Sequence, residues 1–518
     1  MKRLLFIALL VVFGCEDEKQ EKIYGCTDPT ACNFNSDATI YVPNSCLYDM
    51  IPDCNGECGG DAVEDCSGVC SGTAVVDSCG VCDSDTTNDC LQDCAGFWDG
   101  NTICGCTDST ASNFNAEATY EDYSCQFENK IWDVEIIGNE IWATDTQGFY
   151  YSDNLGESWY FYDTNISLGG SCSALKASVD QTFIATVSND GVSPIGGGIS
   201  YTEDNGYSWI YHEQPVDSQT DTLANFSEKY FRALPVTVAN SNVTYDAAVS
   251  DNYIWITSWA GGLRRIGITD AADPNNVWTR VPLPQDDQNI LTTCDDMSYD
   301  ENNILIDFYL NPRDPLDGGN HNHKAFSVLA YDDIVWVGTA NGINKGIVDQ
   351  SQSGCIDWEH YSFPEDGISG NFVVGLARQV WQGEEIIWAV TLNAEYQGEE
   401  RGLSYTTDDG LTWNTTLGQE RAYNVVAYEN IILAATDNGL WKSIDGGSSW
   451  DLHYSIQKVF DVAMDSEGRF WIGTNYGLIV IDETLSKTVR LLPLTNTLTN
   501  PAYIVPALIY EDILLNNR

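Results

Sequence analysis

Four groupings of side chains in this 518-residue chain have the types and spacing to do chemistry. Asp295-Asp296 with Asp300-Glu301 would supply paired carboxylates, one acid and one base or nucleophile, which is what glycoside cleavage needs. His321-x-His323 offers two imidazoles to a metal, from a Gly/Asn-rich loop with no third ligand assigned. Cys79-x-x-Cys82 has the spacing of half a zinc site, with no His nearby. The acids Asp61, Asp65, Asp77, Asp83, Asp85, Asp89 and Asp93 carry oxygen ligands suited to calcium, and Asp77, Asp83, Asp85 and Asp89 are the candidate calcium residues. No complete EF-hand loop accompanies them. For each grouping the competing reading is structural: acids in polar loops are solvated, and closely spaced Cys form disulfides. The chain has no Gly-rich phosphate loop, no nucleophile elbow and no HExxH, so no catalytic constellation is complete.

The elements that would position these groups repeat along the chain. Ile432–Trp450, ILAATDNGLWKSIDGGSSW, reads as a short apolar strand, a tight turn at Asp437-Asn438-Gly439, a second strand, and a closing turn Ser443-x-Asp445-x-Gly447-x-Ser449-Trp450. The Ser and Asp side chains of such a turn cap backbone amides, Gly supplies a positive φ, and Trp offers an apolar face. The turn recurs at Thr202–Trp209 and Thr406–Trp413, and with Asn154 for Asp at Ser152–Trp159. The preceding strand recurs seven times, starting at Ile141, Phe183, Ile254, Val335, Ile387, Ile432 and Phe470. Intervals near 40–50 residues match a four-stranded blade. The expected fold is all-β: a seven-bladed β-propeller over 127–492, with a small disulfide-rich, loop-rich region ahead of it.

The turn resembles the Asp-box of sialidase-like and sortilin-like propellers, with Asn154, Asp204, Asp408 and Asp445 at the acidic position. The strand copies with Gly-Thr and a following Gly-Leu or Gly-Ile resemble the propeller repeats of two-component regulator sensors. The repeats also resemble the photosystem II stability factor propeller. Phe231-Arg232-Ala-Leu-Pro235 is similar to the Phe-Arg-Ile-Pro motif of sialidases, whose Arg grips a carboxylate. Here, however, it follows two of the boxes, and Ala stands where Ile is usual.

Ahead of the propeller, Met1–Gly14 has the charge and apolar core of a secretion signal. It ends at Gly14-Cys15, which resembles the bacterial lipobox and would make Cys15 the lipidated residue. Glu16-Asp17-Glu18 resembles a surface-export signal of Bacteroidetes lipoproteins. The implied location is the outer membrane or cell surface, anchored by lipid. Residues 16–24 read as a tether and 25–126 as a stalk. The stalk opens with a Cys-containing motif at Gly25–Cys46 that returns at Gly105–Cys125, a repeat similar to one in surface proteins of marine Bacteroidetes. Fourteen of the 18 Cys fall between Cys26 and Cys125. With few large apolar residues, this segment needs cross-links in place of a core. The second motif keeps Cys106 and Cys125 but has Ser112 where the first has Cys32. This predicts Cys26–Cys46 and Cys106–Cys125, with Cys32 reaching into the middle segment. Cys172, Cys294 and Cys355 read as buried thiols or a single bridge. The tail, 493–518, would pair with a blade edge or pack beneath the ring.

Asp and Glu number 77 against 23 Lys and Arg, a formal charge of -54. That argues against the basic surface that phosphate binding needs, so no nucleic acid is expected. Numbered outward from the centre, the second-to-third turns and the crossovers between blades share one face, and the Asp-boxes lie on the other. Two long crossovers, 213–242 and 285–324, place the expected ligand face opposite the boxes. Trp259, Arg264, Asn341, Tyr396, Asp437 and Tyr476 are its candidate contacts. The expected function is a lipid-anchored propeller binding a glycan or protein, with calcium in the stalk. The alternative is a sialidase-like or xyloglucanase-like hydrolase.

Overall fold

In the computed structural model, the described residues are 22–490 together with 503–505 and 508–511. The exceptions within that range are 78–79, 86–92, 94–100, 108, 110–113, 122–129, 164–169, 180, 190, 395–396 and 482–485. Cys15, the tether up to residue 21, Asp89, Cys125 and Tyr396 therefore lie outside the described residues. Chain contacts divide the molecule into two units, 1–107 with 115–122, and 108–114 with 123–518.

The first unit is held by cross-links and Asp-capped turns. Its disulfides join Cys26–Cys46, Cys32–Cys58, Cys54–Cys70 and Cys66–Cys82. The first is the predicted motif closure, and the second is the predicted reach of Cys32 into the middle segment. The last two tie each twelve-residue repeat to the next. Cys106 is also disulfide-bonded. Asp53, Asp65 and Asp77 open successive repeats. Asp53 accepts the N–H groups of Asn55, Glu57 and Ala62, and Asp65 those of Ser67, Val69 and Ala74. Asp77 accepts from Val81, and Asp83 from Asp85. The Asp77 and Asp83 carboxylates, expected as calcium ligands, thus also cap turns. Among the described residues no three His, Cys, Asp or Glu are placed to hold a metal ion.

The second unit is a β-propeller. Among the described residues, seven sheets each contain four consecutive antiparallel strands. Their inner strands are Asp133–Ile137, Ser171–Ala177, Thr244–Val249, Ala325–Tyr331, Phe372–Trp381, Ala422–Tyr428 and Val459–Met464. Consecutive inner strands touch, and the seventh touches the first, so the ring closes. The recurrent apolar runs of the sequence are the second strands, such as Ile334–Thr339, Ile431–Thr436 and Phe470–Thr474. They read as continuous hydrophobic runs because both of their faces are buried between sheets. Trp142, Trp255, Trp336, Trp388 and Trp471 of these strands are all at most 2% exposed. The recurrent Thr ends the strand and organises the turn. Thr436 Oγ1 donates to the Gly439 carbonyl and accepts the Asn438 N–H. Thr339 and Thr474 do the same at Gly342 and Gly477.

The four Ser/Thr-x-Asp/Asn-x-Gly-x-Ser/Thr-Trp segments are third-to-fourth turns of the first, second, fifth and sixth sheets. Ser443 Oγ accepts the Gly447 N–H at 3.0 Å. Asp445 accepts the Ser449 N–H at 2.9 Å and its hydroxyl at 2.6 Å. These donors hold the Asp445 carboxyl down at about 2. Each turn leans on the preceding sheet. Trp450 packs edge-on to Trp388, Trp413 to Trp336, and Trp159 of the first sheet to Trp471 of the seventh.

The two long crossovers fold together. Leu223–Phe226, Lys229–Ala233 and Ile304–Leu310 form a three-stranded sheet beside the outer strand of the third sheet, Thr279–Arg280. Phe226, Phe231, Leu305 and Phe308 join the core between the third and fourth sheets. Ile290–Thr292 adds a fifth strand to the fourth sheet, and Cys294–Cys355 fastens it there. Cys172 keeps a buried thiol. The tail strands Tyr503–Val505 and Leu508–Glu511 pair with the outer edges of the first and seventh sheets. No helix of the described residues is long and apolar enough to cross a membrane.

Candidate functional site

Six inner strands begin with the same irregularity. The register skips one residue at Ser173, Tyr245, Phe326, Val374, Tyr423 and Phe460. In the first sheet, Ile131-Trp132-Asp133 matches Val459-Phe460-Asp461 in sequence. A bulge puts an extra side chain on the strand and takes a backbone group off the ladder. Both consequences shape the channel at the centre of the ring.

The extra side chains are mostly aromatic, and they gather at the channel mouth. Trp132 lies 4.6 Å from Phe460, and Phe460 5.3 Å from Tyr423. On the other side Phe326 contacts Tyr245, Trp259 and Phe372 at 5.5, 5.6 and 4.5 Å. Trp132, Tyr245 and Trp259 remain 39–40% exposed.

The freed N–H groups are captured by carboxylates of neighbouring sheets. Asp461 accepts the Val134 N–H at 2.7 Å, Asp133 that of Leu175 at 3.0 Å, and Asp246 that of Val328 at 2.8 Å. With Glu135 and Lys176, paired at 2.6 Å, these acids line a cavity of about 710 Å3 below the aromatic mouth. Burial pushes Asp246 and Asp461 up to about 6. Burial together with the neighbouring Asp461 and Glu135 also raises Asp133 well above the usual carboxylate range. The site is a funnel with apolar rings at the top, carboxyls below and one ammonium group.

The residues named from sequence divide around it. Trp259, Asn341, Asp437 and Tyr476 all occupy second-to-third turns, so the topology brings them to the mouth face. The Trp259 ring has the Lys324 ammonium 5.1 Å above it. Asn341 is 7% exposed and bonded to Thr339. Asp437 accepts the Tyr423 hydroxyl, and Tyr476 donates its backbone N–H to Thr474. Arg264 is corrected: it is 3% exposed and paired with Asp217 at 2.8 Å, so it belongs to the core.

The catalytic and metal groupings are engaged otherwise. His323 is 1% exposed; its Nδ1 accepts the Asn311 N–H and its Nε2 contacts the Leu283 carbonyl, and burial lowers it to about 4. Asp295 caps a short helical turn, Asp296 pairs with Lys229, and Asp300 accepts from Asn302 and Ile304. Asp296 and Asp300 are held below the usual carboxylate range by these bonds, the opposite of what a general acid needs. Arg232 is exposed on the inserted sheet. Sequence reasoning missed the channel acids. Aligning the inner strands would have found them, since aromatic-Asp recurs at Trp132-Asp133, Tyr245-Asp246 and Phe460-Asp461.

A closed ring of four-stranded sheets around an occupiable channel defines this unit as a propeller. A family model described as two component regulator propeller matches residues 453–476. No curated protein matches the chain. Among solved structures, the extracellular domain of a one-component system, BT4673, from B. thetaiotaomicron is 14% identical. The match has a TM-score of 0.42 and covers 68% of this chain and 38% of that one. YCF48 from Cyanidioschyzon merolae is 12% identical, with a TM-score of 0.42, covering 68% and 95%. PorZ of the type-IX secretion system of Porphyromonas gingivalis is 11% identical, with a TM-score of 0.36, covering 68% and 56%.

Proposed function

We propose that this is a cell-surface binding propeller, anchored through a lipid on Cys15, that takes a glycan or protein ligand at the channel mouth. The observation that carries this reading is the set of exposed rings Trp132, Tyr245 and Trp259 around an acidic cavity. Exposed aromatic faces stack on sugar C–H surfaces or on apolar side chains, and the carboxyls below accept hydroxyl or ammonium hydrogens. The disulfides of the first unit suit an oxidising, extracellular setting. The Asp-box turns act as structural braces on the opposite face.

The hydrolase reading has less support. Asp133 and Asp461 are hydrogen-bonded to each other, closer than the roughly 5 Å separation of retaining glycosidases. The test is retention of the purified chain on a panel of polysaccharides, with released reducing ends measured in parallel. We expect retention without release, and at least tenfold weaker retention for Trp132→Ala or Trp259→Ala. Release of ends would overturn the binding reading, and unchanged retention in both variants would move the ligand off this face.

A further inference from the structure

Adjacent residues of one strand give two arginines opposite fates. In Gly262–Gly267, Arg264 and Arg265 point to opposite faces. Arg264 shares Asp217 with Arg280, at 2.8 and 3.1 Å. Arg265 is 4% exposed, yet among the described residues it pairs with no carboxylate. Three rings surround its guanidinium: Tyr253 at 4.2 Å, Phe226 at 4.6 Å and Trp255 at 5.5 Å. Ser227 Oγ lies 3.5 Å from Nη2, and Nη1 has no hydrogen-bond partner among the described residues. Burial lowers its pKa to about 10.

The guanidinium lines a pocket of about 410 Å3 at the end of the strands remote from the channel mouth. Three elements build it: the third sheet, the turn at Ser227-Glu228 of the inserted sheet, and the turn at Ser353 of the fourth sheet. Gly354 brings that last turn close, since a Cβ there would lie 3.1 Å from Arg265 Nη2 and 2.2 Å from the Tyr253 hydroxyl. Asn225, Asn276 and Thr279 add amide and hydroxyl groups to the lining. Glu228 and Asp270 stand exposed at the rim, and neither pairs with Arg265.

A buried guanidinium is normally neutralised by a carboxylate, because leaving its donors unmet is costly. Aromatic rings offset part of that cost but leave the planar N–H fork unfilled. We propose that this pocket binds an oxyanion carried on a sugar-sized, hydroxylated ligand, a uronate or a sulfated monosaccharide unit, with Arg265 as the anion receptor. The fork donates N–H groups to two oxygens of the anion, and the amides and hydroxyls of the lining meet the ring hydroxyls. This site is separate from the channel mouth, so its test is independent of the proposed function.

The test titrates the purified chain with sodium glucuronate, glucose 6-sulfate, glucose and inorganic sulfate. Calorimetry and the fluorescence of caged Trp255 are the readouts. At least one anionic sugar is expected to saturate the site, with glucose at least tenfold weaker. Arg265→Met should weaken the anionic sugar tenfold or more, and Arg265→Lys should fall between. If Arg265→Met fails to fold, Thr279→Val and Asn225→Ala should each weaken it while leaving the melting temperature unchanged. Which of glucuronate and glucose 6-sulfate binds more tightly identifies the anion. No saturable binding below about 10 mM, equal binding of glucose, equal binding by the folded variants, or saturation by inorganic sulfate alone would each overturn the proposal.

Discussion

Asp246 shows how one position serves both fold and site. Its carboxyl holds the backbone of the next sheet, at Val328, and faces a channel that also contains Asp133, Glu135, Lys176 and Asp461. Burial raises it from 3.8 to about 6, so in this pH range the folded chain binds more protons than the unfolded one. The stability it contributes is fully present below about 3.8 and is lost as pH rises through about 6. Two pKa units set an upper bound of about 3 kcal/mol on this effect. Asp246→Asn keeps an acceptor for Val328 and removes the titration. Relative to the unmodified chain, the variant should gain stability between pH 4 and pH 7, measured as urea midpoints at both values. A difference that does not change with pH would refute the burial argument. The turn acids behave in the opposite sense: Asp445, held at about 2 by Ser449 and Ser443, contributes above 3.8 and loses its contribution as pH falls through about 2.

The capped turns act as units because each leans on a neighbouring sheet. Gly447 has φ 82°, and a Cβ there would sit 2.5 Å from the Trp388 ring of the fifth sheet. Gly468 has φ 80°, with nothing near an added Cβ. Gly468→Ala should therefore cost only the left-handed backbone strain, about 1–2 kcal/mol. Gly447→Ala should cost that plus the clash, at least about 1 kcal/mol more. Equal denaturation midpoints would show that the turn does not brace the sheets. The first unit depends on different bonds. Reduction should expose residues 25–82 to protease, whereas chelation should leave them resistant, because Asp53, Asp65 and Asp77 bind backbone amides; cleavage after chelation alone would favour the calcium reading. The Cys294–Cys355 bridge closes 61 residues of separation, worth about 4 kcal/mol in the chain-entropy account. Replacing both by Ser should free Ile290–Thr292 from the edge of the fourth sheet, seen as faster amide exchange there. The blade elements were legible because a strand buried on both faces and a turn with fixed capping chemistry each leave a local signature. The inserted sheet was not, because its strands pair across 73 residues of intervening chain, Tyr230 with Ile304. Arg264 was misplaced for a related reason: nothing near it in sequence announces Asp217.

At the scale of the ring, local rules stop predicting and closure takes over. The mouth and its acids exist only when seven inner strands meet, so no single repeat displays them. The seam between the seventh and first sheets is where that assembly is completed. It includes the Ile131 N–H on the Thr474 carbonyl at 3.0 Å, the Val134 N–H on Asp461, and Trp159 edge-on to Trp471 at 6.1 Å. Trp159 is fully buried, with its indole N–H on the Gly156 carbonyl at 3.1 Å. Trp413 makes the equivalent contact between the fourth and fifth sheets, where the chain itself already joins the two. Truncating either to Ala should cost about 3–5 kcal/mol in the folded state. The difference should appear in local opening. Only Trp159→Ala acts on sheets that are far apart in sequence, so it alone should speed amide exchange at Ile131 and Val134 below the global unfolding limit. If Trp413→Ala loosens Ile131 and Val134 as much, the ring opens as one cooperative body and the seam is no weaker than any other joint.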